Sequence, residues 1–144
     1  MVYGALYGLS AGVAHSVQYG LASILKAAND GQYKFIEDVR EYGEKAKIMK
    51  ALFISNGFKI LYDTDVNEPL ADGFYFTISY QGMTSGQLLE ELLYYGISAI
   101  SLDITGSKKT GGLRACVSHV SRTQFDDLEI RLKCFYENHP INKN

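Results

Sequence analysis

This chain is organised around the stretch Gly112-Leu113-Arg114-Ala115-Cys116-Val117-Ser118, which follows a glycine-rich loop. Side chains on a β-strand alternate between the two faces of the sheet. The apolar residues of the stretch would therefore face a core: Leu113, Ala115 and Val117. The opposite face would carry Arg114, Cys116 and Ser118. The pattern predicts a strand that places a guanidinium on the face away from the core.

A half-buried guanidinium at Arg114 needs an anion, because an unpaired buried charge is costly. No acidic residue lies within the strand to supply one. The partner is either a distant Asp or Glu, or the carboxylate or phosphate of a ligand bound through two parallel hydrogen bonds. The motif by itself favours a protein carboxylate and leaves the ligand as the alternative.

Length and composition indicate one globular domain, with 144 residues of which 47% are hydrophobic and 21% charged. The net charge of −2 gives no general attraction to nucleic acid or to an anionic membrane. Two cysteines outside any CxxC pair and three scattered histidines form no pattern of metal ligands. We expect a cytoplasmic protein with no signal peptide and no membrane span.

Periodicity divides the chain into eight elements. Helical spacing predicts helices over 10–28, 32–55, 84–95 and 123–138. Alternation predicts strands over 58–63, 74–80, 98–102 and 113–118, with the first two paired antiparallel. The order ααββαββα predicts an α+β fold, in which helices cover one face of a short, mainly antiparallel sheet.

The first predicted helix has an unusual composition, because Lys26 is the only Lys, Arg, Asp or Glu between residues 1 and 29. Ser10 is its predicted N-cap. A surface helix normally has a charged face. One interpretation is a central helix wrapped by its own domain. The other is a helix that packs against protein absent from this chain.

The second predicted helix has an apolar stripe made of Phe35 or Ile36, Val39, Tyr42, Ala46, Met49 and Phe53. Its charged residues are interpreted as a solvated face, in which Glu41 and Lys45 form a supportive contact one turn apart. Gly57 is predicted to end this helix in a left-handed conformation.

Two other motifs are not interpreted as functional sites. The loop 106–110 lacks the second glycine of a phosphate-binding loop, because Lys108 stands in its place. Cys134 falls in a predicted helix without a base beside it and is interpreted as a packed thiol.

The ordered set of elements resembles the C-terminal small domain of class I/II aminotransferases, the fold-type-I enzymes that use pyridoxal phosphate. The likeness covers roughly residues 7–138. Its landmarks are the long amphipathic helix ending in Asn56-Gly57, the strand 58–63, the proline-containing link to Asp72-Gly73-Phe74, the helix ending at Gly96, and the strand 112–118.

The resemblance implies that Arg114 binds the α-carboxylate of an amino-acid or 2-oxo-acid substrate, as an arginine on the equivalent strand does in that family. It also implies that residues 1–144 are one small domain, in which residues 1–29 join or contact a missing large domain. That large domain would carry the Schiff-base lysine and the phosphate-binding cup. The implied protein is a C-terminal part of an amino-group transferase that binds no cofactor and is not catalytically competent alone.

Two other hypotheses remain open. The chain is alternatively a stand-alone module that binds or senses amino or keto acids. It is alternatively an inert truncated fragment. In each case the uncharged first helix is expected to drive formation of a homo-oligomer.

Overall fold

The computed structural model describes residues 4, 8, 12–69, 73–109 and 111–141. The helices in these ranges are α1 (His15–Asn29), α2 (Phe35–Ser55), α3 (Ser85–Tyr94) and α4 (Phe125–Asn138). The strands are β1 (Lys59–Leu61), β2 (Thr64–Asp65), β3 (Glu68–Pro69), β4 (Tyr75–Ser79), β5 (Ile100–Ser101) and β6 (Gly112–Cys116). Short 3-10 turns precede β6 and α4. The predicted α+β class is confirmed.

Four of the strands form one antiparallel sheet in the order β1-β4-β6-β5. The predicted antiparallel pairing of the first two long strands is confirmed, since Ile60 pairs with Ile78. Strand β6 has a neighbour on each side, so its backbone is held by two ladders of hydrogen bonds. A side chain on β6 therefore has a well-defined position.

The core lies on one face of this sheet, under α2, α3 and α4. Leu113 on β6 is 0% exposed, and the alternate residues along β4 and β6 are buried with it. The buried side chains include Phe76, Ile78, Ala115 and Val117 from the sheet and Met49, Phe53, Leu88, Leu92, Leu132 and Phe135 from the helices. Each large side chain contributes about 1.5–3 kcal/mol when fully buried. This burial orients β6 as predicted, so that Arg114 lies on the outer face.

The ends of α2 and α3 follow the predicted local signals. The Gln87 N–H donates to the Thr84 hydroxyl at 3.4 Å, and the Thr84 N–H donates to the Gln87 side-chain oxygen at 3.0 Å. This is the predicted capping box. Gly57 and Gly96 end the two helices with φ angles of 84° and 70°, a region that glycine enters without steric cost.

The strands are shorter than predicted, and one connection is not plain loop. The segment 64–73, predicted as a polar link, contains the two-stranded hairpin β2–β3. The sequence of this segment is mostly polar and contains Pro69, so it lacks the apolar alternation that marked the other strands. Ser10, the predicted cap of the first helix, lies outside the described residues.

One prediction about an individual side chain is incomplete and another is wrong. The Lys45 charge acts on Glu41 in the predicted supportive direction, but the main partner of Glu41 is Arg122, which donates two hydrogen bonds to its carboxylate, at 2.7 and 2.8 Å. The arginine fork matches a carboxylate better than an ammonium does. Cys134 is exposed rather than packed. It lies two residues, about 200°, around α4 from the buried Leu132.

The chain divides into two compact units, Met1–Val39 and Arg40–Asn144. The prediction of a single domain with a distinct segment 1–29 stays a prediction. In the second unit α2 buries Ala46, Met49 and Phe53 as predicted. The α2 residues that fall in the first unit, Phe35, Ile36 and Val39, are exposed. The apolar stripe of α2 is therefore buried only in part.

Helix α1 has no buried residue. Val17, Leu21 and Ile24 are all exposed, and their spacing places them on one side of the helix. No helix in the described ranges is long and apolar enough to cross a membrane.

We expect this side of α1 to make the chain self-associate in water, because a contiguous exposed apolar surface usually acquires a partner. Light scattering coupled to size exclusion should give a dimer or larger species whose mass falls on dilution. Leu21, which is 57% exposed, lies near the centre of this side. Leu21→Glu should shift the chain to monomer.

Ser23→Glu is the matched control for that substitution. It adds the same charge to α1 on the opposite side, since Ser23 is two residues from Leu21. It should leave the association unchanged. A wild-type chain that stays monomeric at high concentration would contradict the prediction.

Candidate anion-binding site

The candidate site lies on the outer face of the sheet, around Arg114. The register places Arg114 between Thr77 on β4 and Ile100 on β5, and Leu61 pairs with Thr77 from β1. The Cβ atoms of directly paired residues lie about 4.5–5.5 Å apart. These four side chains therefore form a row across the sheet. The apolar Leu61 and Ile100 lie at its two ends, and Thr77 and Arg114 lie between them. The Thr77 hydroxyl donates to the Leu61 carbonyl at 2.6 Å.

Arg114 has no anionic partner in the part of the chain that the structure describes. Its Nε is enclosed by protein and has no hydrogen-bond partner there. Arginine keeps its charge at any accessible pH. An enclosed N–H without an acceptor costs about 1–3 kcal/mol, and more when the group is charged. The protein carboxylate that the sequence favours for Arg114 is not found among these residues.

Two other arginines show what a paired guanidinium looks like in this protein. Arg122 binds both carboxylate oxygens of Glu41. Arg131 donates from Nε to Asp127 at 2.7 Å and from Nη1 to the Tyr95 carbonyl at 2.9 Å. Arg114, on a strand held from both sides, has neither kind of contact within the described ranges. Its two terminal nitrogens, Nη1 and Nη2, are therefore the donors left for an anion.

Tyr75 is a site residue that the sequence analysis did not single out. Its ring centre lies 4.3 Å from the Arg114 Cζ, a close cation–π contact. The signal was present in the sequence, because Tyr75 and Thr77 alternate with the buried Phe76 on β4. What the sequence could not give is the register, which brings this face of β4 beside Arg114.

Cys116 shares the outer face with Arg114, as predicted, and its Sγ lies 3.1 Å from the Ser118 hydroxyl. Burial acts to raise the pKa of the Cys116 thiol. Hydrogen bonds from the Ser118 hydroxyl and the backbone N–H groups of His119 and Ser118, together with the Arg114 charge, outweigh it. As a result, the pKa of the Cys116 thiol is lowered from its ordinary value. The site thus favours negative charge close to Arg114.

We expect the alkylation of Cys116 by iodoacetamide to have its pH midpoint below that of the same thiol in the urea-unfolded chain. The thiolate is the reactive form, so the midpoint reports the pKa. Because the folded pKa is the lower one, the thiolate stabilises the fold above the unfolded pKa. That contribution is lost as the pH falls through the folded pKa.

Peptide mass spectrometry separates Cys116 from Cys134 in this measurement. Cys116→Ser is the control for stability, because it should remove the associated pH dependence of unfolding. Equal midpoints in the folded and unfolded chains would show that the site does not favour the thiolate.

The glycine-rich loop before β6 is held by a buried hydroxyl. Ser85 is 1% exposed, and its Oγ accepts hydrogen bonds from the N–H groups of Gly111 and Gly112, both at 3.1 Å. Lys109 lies against the Tyr62 ring, at 4.3 Å from its centre. These two amides are used internally, which supports the exclusion of a phosphate-binding loop.

A cavity of about 220 Å³ lies on the core side of the sheet, beside the segment 96–99 and α4. The two charged side chains that line it are already paired with each other. Asp127 accepts from Arg131, whose second donor goes to the Tyr95 carbonyl. The Gln124 side chain accepts from the Ser121 N–H at 2.9 Å. The cavity offers less to a polar ligand than the unpaired Arg114 does.

No group of His, Cys, Asp and Glu within the described ranges could hold a metal ion. No protein-family model matches the chain, and no curated protein matches it either. The geometry around Arg114 and the order of the elements are therefore the observations that bear on function.

Proposed function

We propose that Arg114 binds the carboxylate of an amino acid or a 2-oxo acid, and that the chain is the small domain of a pyridoxal-phosphate-dependent aminotransferase. The unpaired state of Arg114 carries this proposal. A guanidinium on a central strand, with an enclosed Nε and no carboxylate among the described residues, has the properties of a binding group.

The chemistry of the site suits a carboxylate. A carboxylate can accept two parallel hydrogen bonds from one guanidinium, a geometry that adds orientation to charge attraction. The row formed by Leu61, Thr77, Arg114 and Ile100 offers apolar surface on both sides of this charge. A small organic acid with an apolar side chain matches that combination.

The aminotransferase part of the proposal is supported by the fold. The antiparallel sheet with helices on one face, and the position of Arg114 on a paired strand, are what the resemblance implies. A cytoplasmic location is part of the same proposal. Cys116 and Cys134 are both free thiols, as is usual in a reducing compartment.

The described residues do not fit pyridoxal phosphate. Lys45 is the buried lysine among them, and its Nζ lies over the Tyr42 ring, 5.7 Å from the centre. Lys108 and Lys109 are exposed. The Gly111 and Gly112 amides bind Ser85 instead of a phosphate. We therefore derive no step of amino-group transfer from this chain and assign it substrate binding alone.

An NMR titration of the 144-residue chain tests the proposal. Pyruvate and alanine should shift the Arg114 side-chain signals, whereas ethylamine, which lacks the carboxylate, should not. A stand-alone binding module would share this result, whereas an inert fragment would respond to none of the three. The absence of any response to pyruvate and alanine would overturn the carboxylate-binding role.

A further inference from the structure

We propose that Tyr75 is a positioning residue, which holds the Arg114 guanidinium so that a carboxylate binds at its outer end. This inference rests on the carboxylate-binding function proposed for Arg114. The Cζ of the guanidinium lies over the Tyr75 ring, at 4.3 Å from the ring centre. The Nε is enclosed by protein. An oxygen that cannot reach Nε must bind Nη1 and Nη2.

The benefit of this contact is preorganisation. An arginine side chain loses much of its rotamer freedom when it is fixed in one geometry. If the ring fixes the guanidinium before the ligand arrives, binding need not supply that loss. The planar fork then presents two parallel N–H donors, as bidentate recognition requires.

Tyr75 is itself held in place by other aromatic rings. The Phe74 ring lies 6.5 Å from Tyr75 and 4.8 Å from Tyr42 on α2, in both cases close to edge-to-face. The Phe74 carbonyl accepts from the Val117 N–H at 2.8 Å, which extends the β4–β6 ladder past Tyr75. Tyr75 is nevertheless 46% exposed. A contribution to the core is therefore not its main role.

Two substitutions at Tyr75 test the inference by titration with sodium pyruvate. Tyr75→Phe keeps the ring face and should bind within about twofold of wild type. Tyr75→Leu removes the π-system and should bind about 3- to 10-fold more weakly. The unfolding midpoints of the two variants should lie close together, because the side chain is half exposed. A loss of binding in Tyr75→Leu that Tyr75→Phe restores is not expected from a packing role.

The NMR signal of the Arg114 Nε–H provides an independent readout. In the free wild-type chain it should be shifted by the Tyr75 ring current and should exchange slowly with water. Both properties should persist in Tyr75→Phe and disappear in Tyr75→Leu. Pyruvate should perturb the Nη signals more strongly than the Nε signal.

The outcomes separate the two proposals. If wild type and Arg114→Ala bind pyruvate equally, carboxylate binding by Arg114 is wrong, and the role of Tyr75 is wrong with it. If Arg114→Ala loses binding but Tyr75→Leu binds as well as wild type, only the positioning role is wrong. Loss of binding in Arg114→Ala, with graded weakening in Tyr75→Leu and retention in Tyr75→Phe, supports both.

Discussion

Replacing Arg114 by alanine is expected to remove carboxylate binding from the measurable range. Truncating one partner of a hydrogen-bonded charge pair costs about 2–5 kcal/mol. A ligand that binds with a millimolar Kd has only about 4 kcal/mol of binding free energy in total. Most or all of it would be lost. Calorimetry or NMR titration of wild type and Arg114→Ala with pyruvate, at one ionic strength, measures the effect.

Arg114→Lys is the matched control, because it keeps the charge and removes the planar fork. It should bind pyruvate much more weakly than wild type, since an ammonium cannot form the two parallel bonds. If Arg114 instead held the sheet through a protein carboxylate, Arg114→Ala would lower the unfolding midpoint strongly. It would then leave the preference for carboxylates unchanged, and that result would contradict our proposal.

Under the proposed function, the same substitution has a larger consequence in the complete aminotransferase to which this domain would belong. There we expect Arg114→Ala to lower kcat/KM for an amino acid by roughly two to three orders of magnitude, since about 1.4 kcal/mol corresponds to one decade. The variant should also lose discrimination between amino acids and their decarboxylated amines. Retained discrimination would exclude a carboxylate-binding role for Arg114.

Replacing Phe135 by alanine is expected to destabilise the second unit by about 3–5 kcal/mol, the usual cost of deleting a fully buried phenyl ring. Phe135 on α4 is 0% exposed. Its ring lies 5.3, 5.0 and 5.5 Å from those of Phe58, Tyr80 and Tyr95, and stacks on His139 at 4.5 Å. Deleting the Phe135 ring would therefore leave a new cavity at the centre of an aromatic cluster. Urea unfolding followed by circular dichroism measures the loss.

Ile130→Ala is the control on the same helix, because Ile130 is 62% exposed. Its cost should stay within about 0.5 kcal/mol, as for most surface substitutions. A similar loss in both variants would show that α4 does not pack through Phe135. A loss below about 1 kcal/mol in Phe135→Ala would contradict the assigned core.

The elements that could be predicted are those whose signal is local. Alternation along 113–117 indicated which residues of β6 are buried, and the capping box at Thr84 and Gln87 marked the start of α3. These features depend on residues a few positions apart, within one turn of helix or one pleat of strand. The hairpin β2–β3 could not be predicted, because its mostly polar sequence gives no apolar alternation.

Contacts between distant residues could not be read from the chain. Glu41 forms its hydrogen-bonded ion pair with Arg122, far away in the sequence, and Ser85 holds the amides of Gly111 and Gly112. In both cases the partners are brought together by the backbone path. Local spacing contains no information about that path.

The sequence alone determined that Arg114 lies on the outer face of a strand, because side-chain alternation and the burial of its apolar neighbours allow no other orientation. Only the tertiary structure decided what surrounds it. The register of β4 and β6 brings Tyr75 against the guanidinium and leaves Nε enclosed without an acceptor among the described residues. Register is fixed by the packing of the whole core, since a slip of one residue would turn every buried side chain of the strand to the solvent.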